Sequence, residues 1–324
     1  MDKIELIKKP IEAEMTDFKL LFDDSLKSNT PLLDEVLTYI KQRNGKMMRP
    51  MLVFLTAKLF GKPNLYTQHA ALSLELLHTA SLVHDDVVDE SDERRGQTSV
   101  NAVYNNKVSV LVGDYLLATS LKSAAYTKSV VLVDLVARLG QELSEGEIIQ
   151  LANISNDDFS ETIYYDVIRK KTAALFAACA ESGALSVGAS EEEARLAFSF
   201  GEMVGIAFQI KDDIFDYNED QKVGKPTGND MLEGKLTLPA LYVLNTNPDD
   251  EKRGMALKIR SLNASKEEIS HFIAYVKEMG GIEYAVRAMH DYRDKALALL
   301  PENTEPSLRD ALTAFVDYVI GREK

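Results

Sequence analysis

Asp85-Asp86-Val87-Val88-Asp89 and Asp212-Asp213-Ile214-Phe215-Asp216 repeat one pattern, Asp-Asp-x-x-Asp, at two distant places in the chain. Each is embedded in apolar sequence, with Ser81-Leu82-Val83-His84 before the first and Ala207-Phe208-Gln209-Ile210 before the second. An α-helix turns once in about 3.6 residues, so Asp85 and Asp89 project from one face, as do Asp212 and Asp216. Carboxylates held that close repel each other unless positive charge lies between them. Mg2+ suits them, because it is bound through one or two carboxylates together with substrate phosphates. Two such faces opposed across a bundle would clamp a diphosphate through a metal cluster. A solvated acidic helix face is the plainer reading of either cluster alone. Asp is a poor helix-interior residue, however, and its use at all six positions in apolar surroundings favours metal binding.

Cations accompany the clusters. Arg94-Arg95-Gly96 lies just past the first. As a basic helix end it would only answer the helix dipole, but beside metal-binding carboxylates its guanidinium forks suit phosphate oxygens. Lys225 and Lys235 lie in or beside a Gly-rich segment after the second cluster, where backbone and ammonium donors could close over a phosphate. Lys46 and Arg49 sit three apart at another helix entrance, a position that attracts anions. Gly234-Lys235-Leu236 lacks the Ser/Thr and the upstream Gly of an NTPase phosphate loop, so metal-bridged carboxylates are the expected phosphate holders.

The elements that must position these groups read as helices. No proline falls between Pro63 and Pro226, and proline breaks helix interiors. Apolar residues recur at helical spacing around 72–84, and segments 108–126, 130–154, 157–188 and 191–217 read similarly. Thr30-Pro31 and Arg49-Pro50 are helix starts, and Ser265-Lys266-Glu267-Glu268 has the capping-box pattern. Asn44-Gly45, Gly61-Lys62-Pro63 and Arg95-Gly96 mark breaks, and 219–234, with Gly224, Pro226, Gly228 and Gly234, reads as a loop. With no repeat beyond the acidic pattern and no low-complexity linker, 1–324 reads as one all-α domain, a helical bundle.

Composition excludes several classes. The 324 residues carry a net charge of −14, which argues against a nucleic-acid partner. The single cysteine, Cys179, excludes an intrachain disulfide framework, fits a reducing compartment and reads as a small buried residue. The charged start Met1-Asp2-Lys3-Ile4-Glu5 is unlike a signal peptide, and no apolar run is long enough to span a bilayer. A cytoplasmic location is expected.

Several signatures follow one another in order: Gly45-Lys46-x-x-Arg49-Pro50; Leu77-His78-x-x-Ser81-Leu82-x-His84 running into the first cluster; Arg94-Arg95-Gly96; Lys171-Thr172; Phe208-Gln209 before the second cluster; and Gly224-Lys225-Pro226-x-Gly228-x-Asp230 followed by Gly234-Lys235. With these the chain resembles the trans-isoprenyl diphosphate synthases, and within them the long-chain, octaprenyl-type polyprenyl synthases, over nearly its whole length. The resemblance implies an all-α bundle around a central cavity, usually a homodimer. It implies that Asp85, Asp89 and Asp212 ligate Mg2+, three ions bridged by substrate diphosphate, with Asp86, Asp213 and Asp216 in or near the shell. It assigns Arg94, Lys171, Gln209, Lys225 and Lys235 to the allylic diphosphate (geranyl or farnesyl). Lys46, Arg49, His78 and Arg95 go to isopentenyl diphosphate, and Thr172 lies near the reacting carbons. Where the family often has Gly-Gly-Lys-Arg-x-Arg-Pro, this chain has Asn44 for the first Gly and Met47 for the Arg.

The implied reaction breaks a carbon–oxygen bond to give an allylic cation. Mg2+ with Arg and Lys neutralise the leaving diphosphate, isopentenyl diphosphate attacks, and released diphosphate takes the proton. No protein nucleophile is required, and no Ser/His or Cys/His constellation is evident. In the family the residues four and five before the first Asp often form the cavity floor. Here they are the small Ser81 and Ala80, so a growing chain would pass them, with Leu117 or Leu121 as a deeper floor. Burying each added prenyl unit is worth roughly 3 kcal/mol, so an open tunnel favours extension, and the octaprenyl-type resemblance implies a product of about C40. A peripheral membrane contact for release of such a product is a further expectation. Close helix packing is the plainer reading of the two small residues. Competing readings are a short-chain farnesyl or geranylgeranyl synthase, an inactive partner subunit, a terpene cyclase, and a di-iron bundle built on Glu75-x-x-His78 and Glu268-x-x-His271. The last lacks evident partner glutamates, and a partner subunit tends to lose aspartates that are all present here.

Overall fold

A computed structural model describes residues 3–42, 45–94, 96–153, 158–217, 228–247 and 249–321. Among these residues the chain is helical almost throughout. The helices are α1 (Lys3–Lys8), α2 (Glu12–Ser25), α3 (Pro31–Lys41), α4 (Met48–Phe60), α5 (Leu65–Val88), α6 (Val100–Tyr104), α7 (Asn106–Tyr126), α8 (Val130–Asn153) and α9 (Glu161–Ile168). They continue with α10 (Ala174–Ser186), α11 (Glu191–Asp216), α12 (Asn229–Leu232), α13 (Leu238–Thr246), α14 (Asp250–Arg260), α15 (Lys266–Glu278), α16 (Gly281–Ala298) and α17 (Pro306–Gly321). A 3-10 turn, Lys9–Ile11, follows α1, and a π-helical segment, Arg169–Ala173, lies between α9 and α10. Strands β1 (Glu93–Arg94) and β2 (Gln97–Thr98) pair antiparallel, with Arg94 opposite Gln97. The class is all-α, as the sequence implies.

The chain forms two compact units. The first holds Met1–Gly140, Leu175–Gly201 and Pro301–Phe315; the second holds Gln141–Ala174, Glu202–Leu300 and Val316–Lys324.

In the first unit α4 is buried along most of its length, from Pro50 to Ala57, as expected of a helix that is apolar on every side. Helix α5 packs against α4 and α7. It begins at a capping box, in which the Asn64 side chain accepts from the Thr67 N–H and the Thr67 hydroxyl accepts from the Asn64 N–H. Small residues let α5 and α7 approach closely. Ser73 Oγ donates to the Ser120 carbonyl at 2.9 Å, and Ser120 Oγ donates back to the Ser73 carbonyl at 2.7 Å. Gly113 makes room for a ring, since a Cβ there would stand 2.2 Å from His84 Nε2. Helix α7 starts two residues before the periodicity suggested, because the Asn105 side chain accepts from the N–H groups of Lys107 and Val108.

In the second unit Val204, Ile206, Ala207, Ile210 and Ile214 of α11 are buried, and α13 packs against α16. The capping box at Ser265 forms as the sequence indicates. The continuous helix read over 157–188 is instead α9, the π-helical segment and α10, with residue 157 outside the described residues. The loop read over 219–234 contains one helical turn, α12, and residues 218–227 lie outside the described residues.

Candidate active site

The first acidic cluster occupies the end of α5, with Asp89 as its C-terminal cap. Carboxylates there face the negative end of the helix dipole, which is electrostatically unfavourable without a cation nearby. The three side chains differ. Asp86 is buried, at 1% exposure, and Arg94 Nε donates to its Oδ1 at 2.5 Å. Asp85 is half-buried and Asp89 exposed. Arg94 does not extend a basic helix end, because it lies on β1 of a two-residue hairpin, where it turns back onto Asp86. Gly96 takes φ +77° in that hairpin turn, a conformation that favours glycine. Arg95 is outside the described residues. Two turns before Asp85, His78 is half-buried on α5. Lys46 is exposed just before α4, and Arg49 in its first turn has its guanidinium carbon 6.0 Å from the Phe176 ring centroid.

Of the proposed length-determining pair, Ala80 is buried and Ser81 half-buried, its hydroxyl donating to the His78 carbonyl. Leu117 is half-buried, while Leu121 is 41% exposed, which does not suit the floor of an enclosed tunnel in the isolated chain.

The second cluster ends α11 and is wired differently. Asp213 is buried, at 3% exposure, and its hydrogen-bond donors among the described residues are neutral. Tyr164 Oη donates to its Oδ2 at 2.5 Å, and Gln209 Nε2 donates to its Oδ1 at 2.9 Å. Gln209 Oε1 in turn accepts from Thr172 Oγ1 at 2.7 Å. Burial pushes the Asp213 carboxyl above the ordinary carboxylate range, the charge of Asp230 adds to this, and the Tyr164 and Gln209 bonds pull it back. Burial, then the charge of Asp213, raises the Tyr164 hydroxyl well above its ordinary value, so it remains a donor. Asp216 closes the start of α12, its carboxylate accepting from the Asn229 N–H at 2.9 Å and the Asp230 N–H at 3.1 Å. Asp212 is half-buried.

Lys171 and Thr172 lie within the π-helical segment. Such one-turn bulges recur at functional sites. Gly146 lets α8 approach it, since a Cβ there would sit 3.0 Å from the Lys171 nitrogen and the Lys170 Cβ. Lys171 pairs with Glu147, Lys170 with Glu145 at 2.6 Å, and Lys235 with Glu233 at 2.5 Å. A phosphate approaching Lys171 or Lys235 must therefore compete with a carboxylate. Tyr164, Lys171, Thr172, Gln209, Asp213 and Lys235 all line one cavity of about 220 Å³ in the second unit. Asp230, on its wall, has its carboxyl raised by burial and then by Asp216. Lys225 is outside the described residues. Sequence reasoning missed Tyr164, Gly146 and Glu147, which carry no local signal, and missed the capping role of Asp216.

With this geometry in hand, comparison with known proteins decides the family. The polyprenyl synthetase family model matches residues 30–276. The chain belongs to the polyprenyl synthetase family. It is therefore a prenyltransferase of isoprenoid biosynthesis, and the family's substrates are isopentenyl diphosphate and allylic diphosphates. The chain is 32% identical to the octaprenyl diphosphate synthase of Escherichia coli (strain K12) over 323 residues, 99% of each chain. Its fold is similar to a solved geranylgeranyl pyrophosphate synthase from Bacteroides thetaiotaomicron, with 54% identity, a TM-score of 0.87, and coverage of 99% of this chain and 100% of that one. It is also similar to a polyprenyl synthase from Caulobacter crescentus complexed with calcium and isoprenyl diphosphate, with 31% identity, a TM-score of 0.89 and 98% of each chain covered. Among the described residues no helix is long and apolar enough to cross a membrane. Cys179 is fully buried as expected, and burial pushes its thiol up to about 12.

Proposed function

We propose that this prenyltransferase is a long-chain trans-polyprenyl diphosphate synthase of the octaprenyl type, extending geranyl or farnesyl diphosphate with isopentenyl diphosphate. The observation that carries the reading is that both Asp-Asp-x-x-Asp clusters end long helices in which the first Asp stays half-buried. Negative charge at a helix C-terminus is unfavourable, so its placement at both ends points to a cationic ligand. Among the described residues no three His, Cys, Asp or Glu side chains converge into a ready-made cage. Mg2+ does not need one, since it takes one or two carboxylates and completes its shell with water and substrate phosphate, and hard oxygen donors fit it. Asp85 and Asp89 on α5, and Asp212 on α11, are the carboxylates we assign to it. The calcium and isoprenyl diphosphate bound by the Caulobacter protein support a divalent ion in this role. Bound Mg2+ would neutralise charge growing on the leaving diphosphate.

The chain's own groups do the rest. Lys171 and Lys235 exchange their glutamate partners for diphosphate oxygens, adding fixed positive charge where the carbon–oxygen bond breaks. Thr172 and Gln209 line the same cavity, and we assign Thr172 to the neighbourhood of the reacting carbons and Gln209 to the allylic diphosphate. Lys46, Arg49 and His78 hold isopentenyl diphosphate, and the small Ala80 and Ser81 leave the product free to lengthen.

An exposed stripe of Leu111, Ala118, Leu121 and Ala125 runs along α7, and Tyr126, Val130 and Val131 continue it. An apolar face of this kind supports a homodimer. Sedimentation tests it: Leu111→Arg should yield monomer, and an unchanged dimer would place the interface elsewhere.

A geranylgeranyl product is the second reading, supported by the Bacteroides relative at 54% identity. Product mass separates the two. The purified protein is incubated with isopentenyl diphosphate, farnesyl diphosphate and Mg2+, beside an Asp85→Ala control. A Mg2+-dependent ladder running well past the geranylgeranyl length supports the long-chain reading. Products stopping at that length sink it and leave prenyl transfer intact.

A further inference from the structure

We infer that Tyr164 is a positioning residue for prenyl transfer, holding Asp213 so that Gln209 and then Thr172 can point only one way. The inference rests on the reading of the cavity given above. Gln209 donates through its amide Nε2 to Asp213 Oδ1 at 2.9 Å, beside the Tyr164 bond to Oδ2. The amide oxygen then faces Thr172, whose hydroxyl must donate to it at 2.7 Å. With its hydrogen committed, Thr172 turns its oxygen lone pairs away from Gln209. Tyr164 stabilises this chain at its far end. Its ring lies on α9, one helix before the π-helical segment that carries Thr172, and its hydroxyl satisfies the second oxygen of Asp213 at 2.5 Å. Both Tyr164 and Asp213 are buried, so a fixed protein donor, and not bulk solvent, satisfies that oxygen. Without it Asp213 can rotate, Gln209 can flip, and Thr172 can present its hydrogen instead of its lone pairs.

Tyr164→Phe deletes one oxygen and keeps the ring, so the core stays filled. The expected result is a fall in kcat of at least about tenfold, with KM for isopentenyl diphosphate changed less than about twofold. In a Thr172→Val background the same change should have no further effect, because the chain then has nothing left to orient. Tyr284→Phe is the control. It removes another tyrosine hydroxyl of the second unit, the one that donates to Glu161 at 2.8 Å, and should leave kcat unchanged. A readout independent of turnover is the side-chain amide NMR signal of Gln209 in selectively 15N-labelled protein, which should move in Tyr164→Phe. If wild-type protein condenses nothing, the prenyl-transfer reading fails while the amide signal still tests the clamp. An unmoved Gln209 amide, an unchanged kcat in Tyr164→Phe, or losses that multiply in the Thr172→Val background would each overturn the proposal.

Discussion

Asp86 and Asp213 hold the same place in two copies of one five-residue pattern, and the two units neutralise them by different means. In the first unit a guanidinium from the hairpin after α5 closes on Asp86 at 2.5 Å. In the second, two neutral donors, Tyr164 and Gln209, share Asp213. The last members also diverge. Asp89 caps its own helix and is exposed, whereas Asp216 binds the backbone at the start of α12. The leading residues, Asp85 and Asp212, share a half-buried setting. Equal spacing therefore gives equal direction on a helix, while chemical role follows from what the rest of the unit brings to that direction. The middle aspartate of each cluster is held by the protein groups named above, and the leading one is the residue we propose as a metal ligand.

Changes to the leading residues should have the largest effect. Asp85→Ala and Asp212→Ala should each lower condensation by about a thousandfold, several kcal/mol of lost transition-state stabilisation, with the folded structure intact by circular dichroism. Comparable loss in both would fit the shared role, and a silent Asp212→Ala would break the symmetry of the leading pair.

The middle residues sharpen the contrast through stability. Arg94→Met strands a buried carboxylate, so the denaturation midpoint should fall by the equivalent of about 3 kcal/mol, and Asp86→Asn in the same chain should recover much of it. Tyr164→Phe removes one of two neutral donors and should lower stability by only about 2 kcal/mol. Equal losses would mean that the ionic and neutral solutions are interchangeable.

A pH series separates the two units further. The folded-state carboxyls of Asp213 and Asp230 are raised by burial. Between the unfolded value of about 4 and neutrality the native state then binds more protons than the unfolded state, so their contribution to stability falls as pH rises. The melting temperature of metal-free protein, compared with Asp213→Asn, should show a wild-type deficit that grows across that window. A difference flat in pH would remove buried charge from the account of this cluster. Last in size, Asp216→Ala should cost about 1 kcal/mol through loss of the cap on α12, read from the same denaturation curves.

Much of the fold was legible from local chemistry. The proline-free span holds α5, α7, α8 and α11, and the capping pattern at Ser265 opens α15. The π-helical segment was not legible, because a one-residue change of hydrogen-bond register leaves the apolar periodicity nearly untouched. Neither was the α12 turn, whose Gly-rich composition reads as loop and whose start is tied to Asp216 by bonds across 13 and 14 positions. At the candidate site the residue types and their order were readable, and the partners were not. Arg94 was assigned to phosphate by its chemistry, and only the hairpin reveals its bond to Asp86.

By itself the sequence determined the all-α class, the helix that carries each cluster, the face each aspartate takes and the family signatures, because these depend on spacing within a few residues of chain. Tertiary structure alone decided that Asp213 answers to Tyr164, 49 positions away, and that Gln209 turns toward Thr172, 37 positions away. Helical periodicity fixes where a side chain points. What it meets there is set by packing between segments, and in a buried site the nearest donor decides whether a carboxylate is held by the protein or left for a ligand.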